Sequence, residues 1–265
     1  MLNRIDQKFK DFKAKERKAF IAYVTAGVPS VSKTAEIILG LERSGVDMVE
    51  IGIPFSDPLA DGQTIQAASK RALDNGTTLA KIFNMVKLLR RQTNIPLLFM
   101  TYYNPIFHMG DAKFVSMCKA IGIDGLIIPD LPPEEAINLR KLCQQKNIAT
   151  VFFIAPTSEN DRIKSNAAAS TGFVYYVALT GVTGNAQAES LDVNKAILHA
   201  KKFTTKPICA GFGINTPDQV KAIAQVADGV IVGSAIVKKI MEHSRDKNLV
   251  TIVSTFVASL SKALK

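Results

Sequence analysis

The sequence predicts an α/β fold, a (β/α)8 TIM barrel. Three observations carry this: strand-like and helix-like segments alternate along the chain, about eight strand candidates occur, and 265 residues is the length of one such barrel. No composition break or low-complexity linker divides the chain, so residues 1–265 read as a single domain. The strand candidates are short apolar runs at 20–25, 48–53, 96–101, 125–129, 150–155, 173–179, 207–211 and 229–233. Their β-branched character on both faces suits parallel strands buried on each side.

The helices between them carry local signals. An amphipathic segment near Ile5 to Phe12 predicts an extra N-terminal helix, and a doubled helical stretch from Thr64 to Arg91 follows the second strand. Phe114, Met117, Cys118 and Ile121 fall at i, i+3, i+4 and i+7 before Gly122, a helix face with a glycine stop. Pro132-Pro133-Glu134-Glu135 predicts a helix start with acids at its positive end. Thr216-Pro217-Asp218-Gln219 spells a capping box with proline at the first helical position. Ser234 is placed to cap a helix over 235–241. The stripe Leu249, Ile252, Val253, Phe256, Val257, Leu260 and Leu264 adds a further helix after the eighth strand.

Composition narrows the function classes. Hydrophobic residues make up 47% of the chain, enough for a sizeable core, which excludes collagen-like and disordered classes. Apolar runs fall short of a membrane span and the polar start lacks the core of a secretory signal, so a cytoplasmic protein without a membrane partner is expected. Cys118, Cys143 and Cys209 form no Cys-x-x-Cys pair and read as reduced core residues. His108, His199 and His243 have no zinc-type spacing, so no metal is expected. The net charge of +10, from 33 basic and 23 acidic residues, invites a nucleic-acid reading. Without aromatics interleaved among the cations, a solvated surface that attracts small anions is the simpler account.

The chemistry concentrates in Val49-Glu50-Ile51-Gly52-Ile53-Pro54-Phe55-Ser56-Asp57-Pro58-Leu59-Ala60-Asp61-Gly62. Glu50 interrupts an apolar strand and is expected to end it among oily neighbours, where burial raises a carboxyl pKa toward neutrality. Asp61 follows past two prolines, close enough to fold back over the same mouth. Two acids in different environments suggest divided proton-handling roles; an ion-paired Glu and a turn-forming Asp are the bland alternatives. Parallel strands joined by crossover helices put every C-terminal strand end on one rim, and Glu50, Tyr102, Asp130 and Tyr175 fall near such ends. No lysine ends a strand as a Schiff-base aldolase needs, because Lys206 precedes strand seven on the opposite rim.

Three glycine-bearing turns lie in the second half: Thr180-Gly181-Val182-Thr183-Gly184, Gly211-Phe212-Gly213-Ile214-Asn215 and Gly233-Ser234-Ala235. The last two follow strands seven and eight, where barrels commonly hold a phosphate on backbone N–H groups and a helix N-terminus. The small, polar segment from Thr180 to Ala188 has the composition of a lid or of an ordinary loop.

With these motifs in place the chain resembles the tryptophan synthase alpha subunit family over nearly its whole length. The Glu50 to Gly62 segment has the family's signature form, and Thr180-Gly181-Val182-Thr183-Gly184, Gly211-Phe212-Gly213-Ile214 and Gly233-Ser234-Ala235-Ile236-Val237 follow in family order. The resemblance implies a carbon–carbon lyase of tryptophan biosynthesis that cleaves indole-3-glycerol phosphate to indole and glyceraldehyde 3-phosphate. It implies Glu50 and Asp61 as the catalytic pair and Tyr175 beside the glycerol phosphate. It sets the phosphate on Gly184, Gly213, Gly233 and Ser234, with Thr183 and Phe212 in the flanking turns, and the indole near Phe20, Tyr102 and Ile127 or their neighbours. It further implies no cofactor on this chain, since pyridoxal phosphate belongs to a partner beta subunit that receives the indole, and an assembly of two alpha and two beta chains. Gln63, where the family often has proline, and Ala178-Leu179, where serine and a basic residue are common, depart from the pattern beside two loops. Another phosphate-binding barrel, an anion or nucleic-acid binder, and a silent paralogue that only activates a beta subunit are the competing readings.

Overall fold

The structure, a computed structural model, describes residues 2–177, 186–211 and 213–264, except for the side chains of 186–192. The N-terminal helix α1 (Arg4–Ala14) leads into β1 (Ala19–Thr25), α2 (Val31–Arg43) and β2 (Met48–Gly52). The doubled helical stretch is α3 (Gln63–Asp74) and α4 (Leu79–Leu89), followed by β3 (Leu97–Met100). Next come α5 (Tyr103–Met109), α6 (Asp111–Ile121), β4 (Gly125–Ile127) and α7 (Ile137–Gln145). The second half runs β5 (Ala149–Val151), β6 (Phe153–Ile154), α8 (Asn160–Ala169), β7 (Val174–Val177), α9 (Ala186–Ala200), β8 (Ile208–Gly211), α10 (Pro217–Ala224) and β9 (Gly229–Val232). Two helices, α11 (Ser234–Glu242) and α12 (Leu249–Ser261), follow the last strand.

All strand pairs are parallel, in the order β5-β4-β3-β2-β1-β9-β8-β7-β6. The two end members of that order are one run of chain interrupted at Phe152. There the run exchanges β4 for β7 as its neighbour: the Phe152 N–H donates to Ser170 Oγ at 3.1 Å, and its carbonyl accepts from the Tyr175 N–H at 3.0 Å. The nine segments therefore close an eight-membered ring, as the sequence predicts.

Alternation along each strand divides the molecule into two cores. Phe20, Val24, Val49, Ile51, Leu97 and Phe99 face the helices, whereas Ala19, Ile21, Met48, Leu98, Ile127, Phe173, Cys209 and Ile231 fill the barrel. Helix α1 plugs the N-terminal mouth with Ile5, Phe9 and Phe12, and the Phe9 ring lies 5.9 Å from Phe173. Buried water-free contact on both faces of the sheet is what the uniformly apolar strands demand.

A fourfold recurrence appears at the same mouth. Asp47, Asp124, Thr171 and Asp228 each stand just before a strand and accept, through the side chain, an N–H of the neighbouring strand: Phe20 at 2.9 Å, Leu97 at 2.9 Å, Thr150 at 2.8 Å and Ile208 at 3.0 Å. Each also donates its own N–H to that partner's carbonyl, at 2.7 to 2.8 Å. Three of the four share an Asp directly before the strand, as in Ile123-Asp124-Gly125 and Ala227-Asp228-Gly229, while Thr171, three residues before β7, does the same work in the fourth. Part of the basic charge serves these clasps: Arg17 pairs with Asp47, Arg4 and Arg90 with Asp124, and Lys18 and Lys201 with Asp228.

Asn104-Pro105-Ile106-Phe107 makes up most of α5, since proline within a first turn removes an N–H that has no helical partner anyway. Two local expectations are corrected. Pro132-Pro133 opens a turn closed by bonds from Glu135 and Ala136 N–H to the Pro132 carbonyl, and α7 starts only at Ile137. Ser234 does not cap α11: it is the first helical residue, Gly233 holds the cap position, and no side-chain cap bond forms. The capping box at Thr216 and the left-handed stop at Gly122 are present.

Candidate active site

Strand β2 aims Met48, Glu50 and Gly52 into the barrel, and its register sets Glu50 beside Tyr23 on β1 and Leu98 on β3. Glu50 does not end the strand as expected but sits at its middle, fully buried. Neither carboxyl oxygen has a hydrogen-bond partner among the described residues. With nothing to compensate the lost hydration, burial pushes its pKa up to about 8.

Asp61 reaches the same space from the loop after β2. That loop is fastened at both ends. Ser69 Oγ accepts from the Phe55 N–H at 2.9 Å and donates to its carbonyl at 3.2 Å. Tyr102 stacks on the Phe55 ring at 5.2 Å, accepts the Ala60 N–H at 2.9 Å, and donates its hydroxyl proton to Asp61 Oδ2 at 3.2 Å. Burial raises the Asp61 pKa to about 6, and the Tyr102 bond opposes that rise. Gln63, the departure from the family pattern, is the first residue of α3, where proline is favoured but not required.

Two tyrosines line the wall around Glu50. Tyr175 on β7 leans over Gly211, where a Cβ would come within 2.8 Å of its hydroxyl. Tyr23 leans over Gly52 in the same way, and a Cβ there would collide with its hydroxyl. The charges of both Glu50 and Asp61 bear on each phenol and help hold it protonated, after burial as the larger cause. The two carboxyls thus share one chamber.

Of the other predicted site residues, Tyr102 lies at this chamber, and Ile127 lies deeper, in the barrel's apolar filling. Phe20 is not brought to the site: one residue out of phase with Ile21 and Tyr23, it packs between sheet and helices. Tyr23 occupies the inward position instead. Sequence reasoning missed it, and only the parity of β1 relative to Glu50 could have signalled it. Asp130 serves the fold, its carboxylate accepting the first N–H of α5 from Tyr103 at 2.9 and 3.2 Å. Lys206 lies at the opposite mouth, its ammonium donating to the carbonyls of Ala167, Ala168 and Ser170.

At the chamber's other side, Gly213 adopts a left-handed φ of 45°, and Gly233 leads into α11, whose first-turn N–H groups have no helical acceptor. A cleft of about 300 Å³ beside them is lined by Thr64, Asn215, Ser234, Lys238, Lys239 and Phe256, among others. Open N–H groups and a hydroxyl face this cleft, as an anion site needs, while the ammonium groups of Lys238 and Lys239 lie 3.9 and 3.6 Å from the carboxylate of Glu242, which also lines it. Thr183, Gly184 and Phe212, with the departures Ala178 and Leu179, lie outside the described residues, as does the expected lid apart from its last residues, which begin α9. Among the described residues, no three His, Cys, Asp or Glu side chains converge on a metal position.

Known proteins resemble this chain over nearly its whole length. The model of the family "Tryptophan synthase alpha chain" matches residues 9–265. The tryptophan synthase alpha chain of Geotalea daltonii is 44% identical over 263 residues, covering 99% of each chain. The chain belongs to the tryptophan synthase alpha chain family. The crystal structure of tryptophan synthase subunit alpha from Legionella pneumophila str. Paris superposes with a TM-score of 0.93 at 33% identity, covering 100% of this chain and 99% of that one. A structure of tryptophan synthase from M. tuberculosis gives 0.89 at 30% identity, covering 99% and 98%. This member of the family is a TIM-barrel lyase that acts on indole-3-glycerol phosphate and releases indole in tryptophan biosynthesis.

Proposed function

We propose that Glu50 and Asp61 divide the proton chemistry of that cleavage. The observation that carries the assignment is Glu50 itself: fully buried, unpartnered, and protonated at pH 7 with a pKa of about 8. Indole is a poor leaving carbanion, so C3 must be protonated before the bond to the glycerol chain breaks. Neutral Glu50 supplies that proton, and its carboxylate then takes the proton of the adjacent glycerol hydroxyl as the carbon–carbon bond breaks. Positive charge meanwhile develops on the indole nitrogen. Asp61, ionised above about pH 6, accepts a hydrogen bond from N1–H and stabilises it.

Tyr102, Ile127, Tyr175 and, in place of Phe20, Tyr23 form the walls around the indole and the glycerol chain. Gly213, Gly233 and Ser234 hold the phosphate, and the same reading assigns Gly184, Thr183 and Phe212 to that pole. The open N–H groups at the start of α11 support an anionic ligand there.

The partner in this reading is a tryptophan synthase beta subunit, in an assembly of two alpha and two beta chains, with pyridoxal phosphate on the beta subunit and no cofactor on this chain. Leu59, 92% exposed on the loop that carries Asp61, and Phe107, 70% exposed on α5, are large apolar side chains on the catalytic rim that a partner would cover. Residues 1–265 form one domain in this proposal. A cytoplasmic setting is part of it; among the described residues no helix is long and apolar enough to cross a membrane. Indole release from indole-3-glycerol phosphate, assayed with and without a beta subunit, tests the whole: activity stimulated by the partner is expected, and its absence in both arms would refute it.

A further inference from the structure

Tyr23 is held more closely than a wall residue needs. It is the register partner of Glu50, it is 6% exposed, and its hydroxyl end fills room that glycine at 52 leaves. Its hydroxyl receives only a long contact of 3.4 Å from Thr25 Oγ1, and its own O–H proton has no acceptor among the described residues. A buried donor left unused in this way is costly in a folded protein. Burial first, and then the charge of Asp61, keep this phenol protonated, so it remains a donor over the working pH range.

We propose that the Tyr23 hydroxyl is a catalytic hydrogen-bond donor to the glycerol oxygen whose proton Glu50 removes. The inference rests on the roles assigned above to Glu50 and Asp61. In the cleavage Glu50 gives its proton to indole C3, and the carboxylate so formed takes the proton of the glycerol hydroxyl. The electron pair of the bond between C3 and the glycerol carbon returns to the ring and restores indole, while the oxygen becomes the aldehyde carbonyl. Tyr23 keeps its own proton throughout. Negative character rises on that oxygen as its O–H bond breaks, and a donor fixed beforehand stabilises this stage more than the ground state. Donor and base stand side by side on paired strands, so both address one oxygen.

Tyr23→Phe keeps the ring and its packing and removes only the donor. Assayed as the full chain with a beta subunit present, it is expected to lose about tenfold in kcat with KM unchanged. Thr25→Val, which removes only the neighbouring contact, is expected to stay within about twofold of wild type, well inside a single hydrogen bond's effect. Substrate affinity should be equal in Glu50→Gln and Glu50→Gln/Tyr23→Phe. Wild-type kcat in Tyr23→Phe, or an equal loss in Thr25→Val, would overturn the proposal. Near-normal turnover in Glu50→Gln would instead refute the reading it rests on.

Discussion

A carboxyl that is neutral in the folded protein and ionised in the unfolded chain makes stability depend on pH, and Glu50 is the largest such case at the site. Its value rises from an ordinary 4.5 to about 8. Between those values the native state holds a proton that the unfolded chain has released, so stability falls as pH rises, by about 1.4 kcal/mol per pH unit for this one group. The contribution is fully favourable below about pH 4.5, has cost about 3 kcal/mol by pH 7, and reaches on the order of 5 kcal/mol above pH 8.

Glu50→Gln removes the titration while keeping size and buried polar atoms. The variant is therefore expected to be more stable than wild type by about 3 kcal/mol at pH 7, with the gap widening to pH 8 and vanishing near pH 4.5. Turnover of the same variant should fall by about a hundred- to ten-thousand-fold, a trade of activity for stability. Urea unfolding of both proteins from pH 5 to pH 9 reads the first effect, and steady-state indole release reads the second. Taking the difference between the two proteins cancels Asp61 and every other shared titration. If the two stability curves run parallel, Glu50 does not change its proton affinity on folding and the acid role fails with it.

Three further outcomes follow from the same geometry. The profile of kcat/KM against pH should be bell-shaped with limbs near 6 and 8, and Tyr102→Phe, by removing the bond that favours ionised Asp61, should move the acid limb up by about one pH unit; an unmoved limb would separate Tyr102 from Asp61. Ser234→Glu puts a negative charge among the open N–H groups of α11 and should raise KM by tenfold or more, about the effect of one lost charge-assisted bond; an unchanged KM moves the phosphate elsewhere. Asp124→Asn should cost about 3 kcal/mol in urea unfolding, because Arg90, its side chain 11% exposed, loses its carboxylate, while kcat per folded molecule stays constant; a loss under about 1 kcal/mol would contradict this.

The alternation of strand and helix was legible because parallel strands buried on both faces leave long apolar runs that no loop needs. That same property hid which face points inward. In β1 both parities are apolar, so Phe20 and Tyr23 looked equivalent until the pairing of Tyr23 with Glu50 fixed the phase. Helix α5 was illegible for a different reason: its first N–H is held by Asp130 from the end of another strand, a partner far away in the sequence. The acids at 50 and 61 stood out because a charge in an oily strand and a second in a proline-stiffened loop violate local expectation, and such violations collect at functional sites. That Tyr102 ties Asp61 to the chain at Ala60 depends on how the loop folds back, which no local pattern encodes.

The buried carboxylates make the division between the two mouths of the barrel physical. At the N-terminal mouth Asp47 and Asp124 are as inaccessible to water as many core residues, yet each accepts a backbone N–H and an arginine. Toward the C-terminal mouth Glu50 is buried still more completely and accepts nothing. Burial alone cannot explain the difference, since it penalises every one of them; the difference is whether the fold supplies partners. Where it does, the carboxylate's hydrogen bonds tie strands together. Where it withholds them, the proton stays on the acid near neutral pH and becomes available for transfer to a ligand. The unfavourable placement of Glu50 is therefore not a flaw that the clasps offset by accident: stability drawn from one mouth allows a poised, unsatisfied acid at the other.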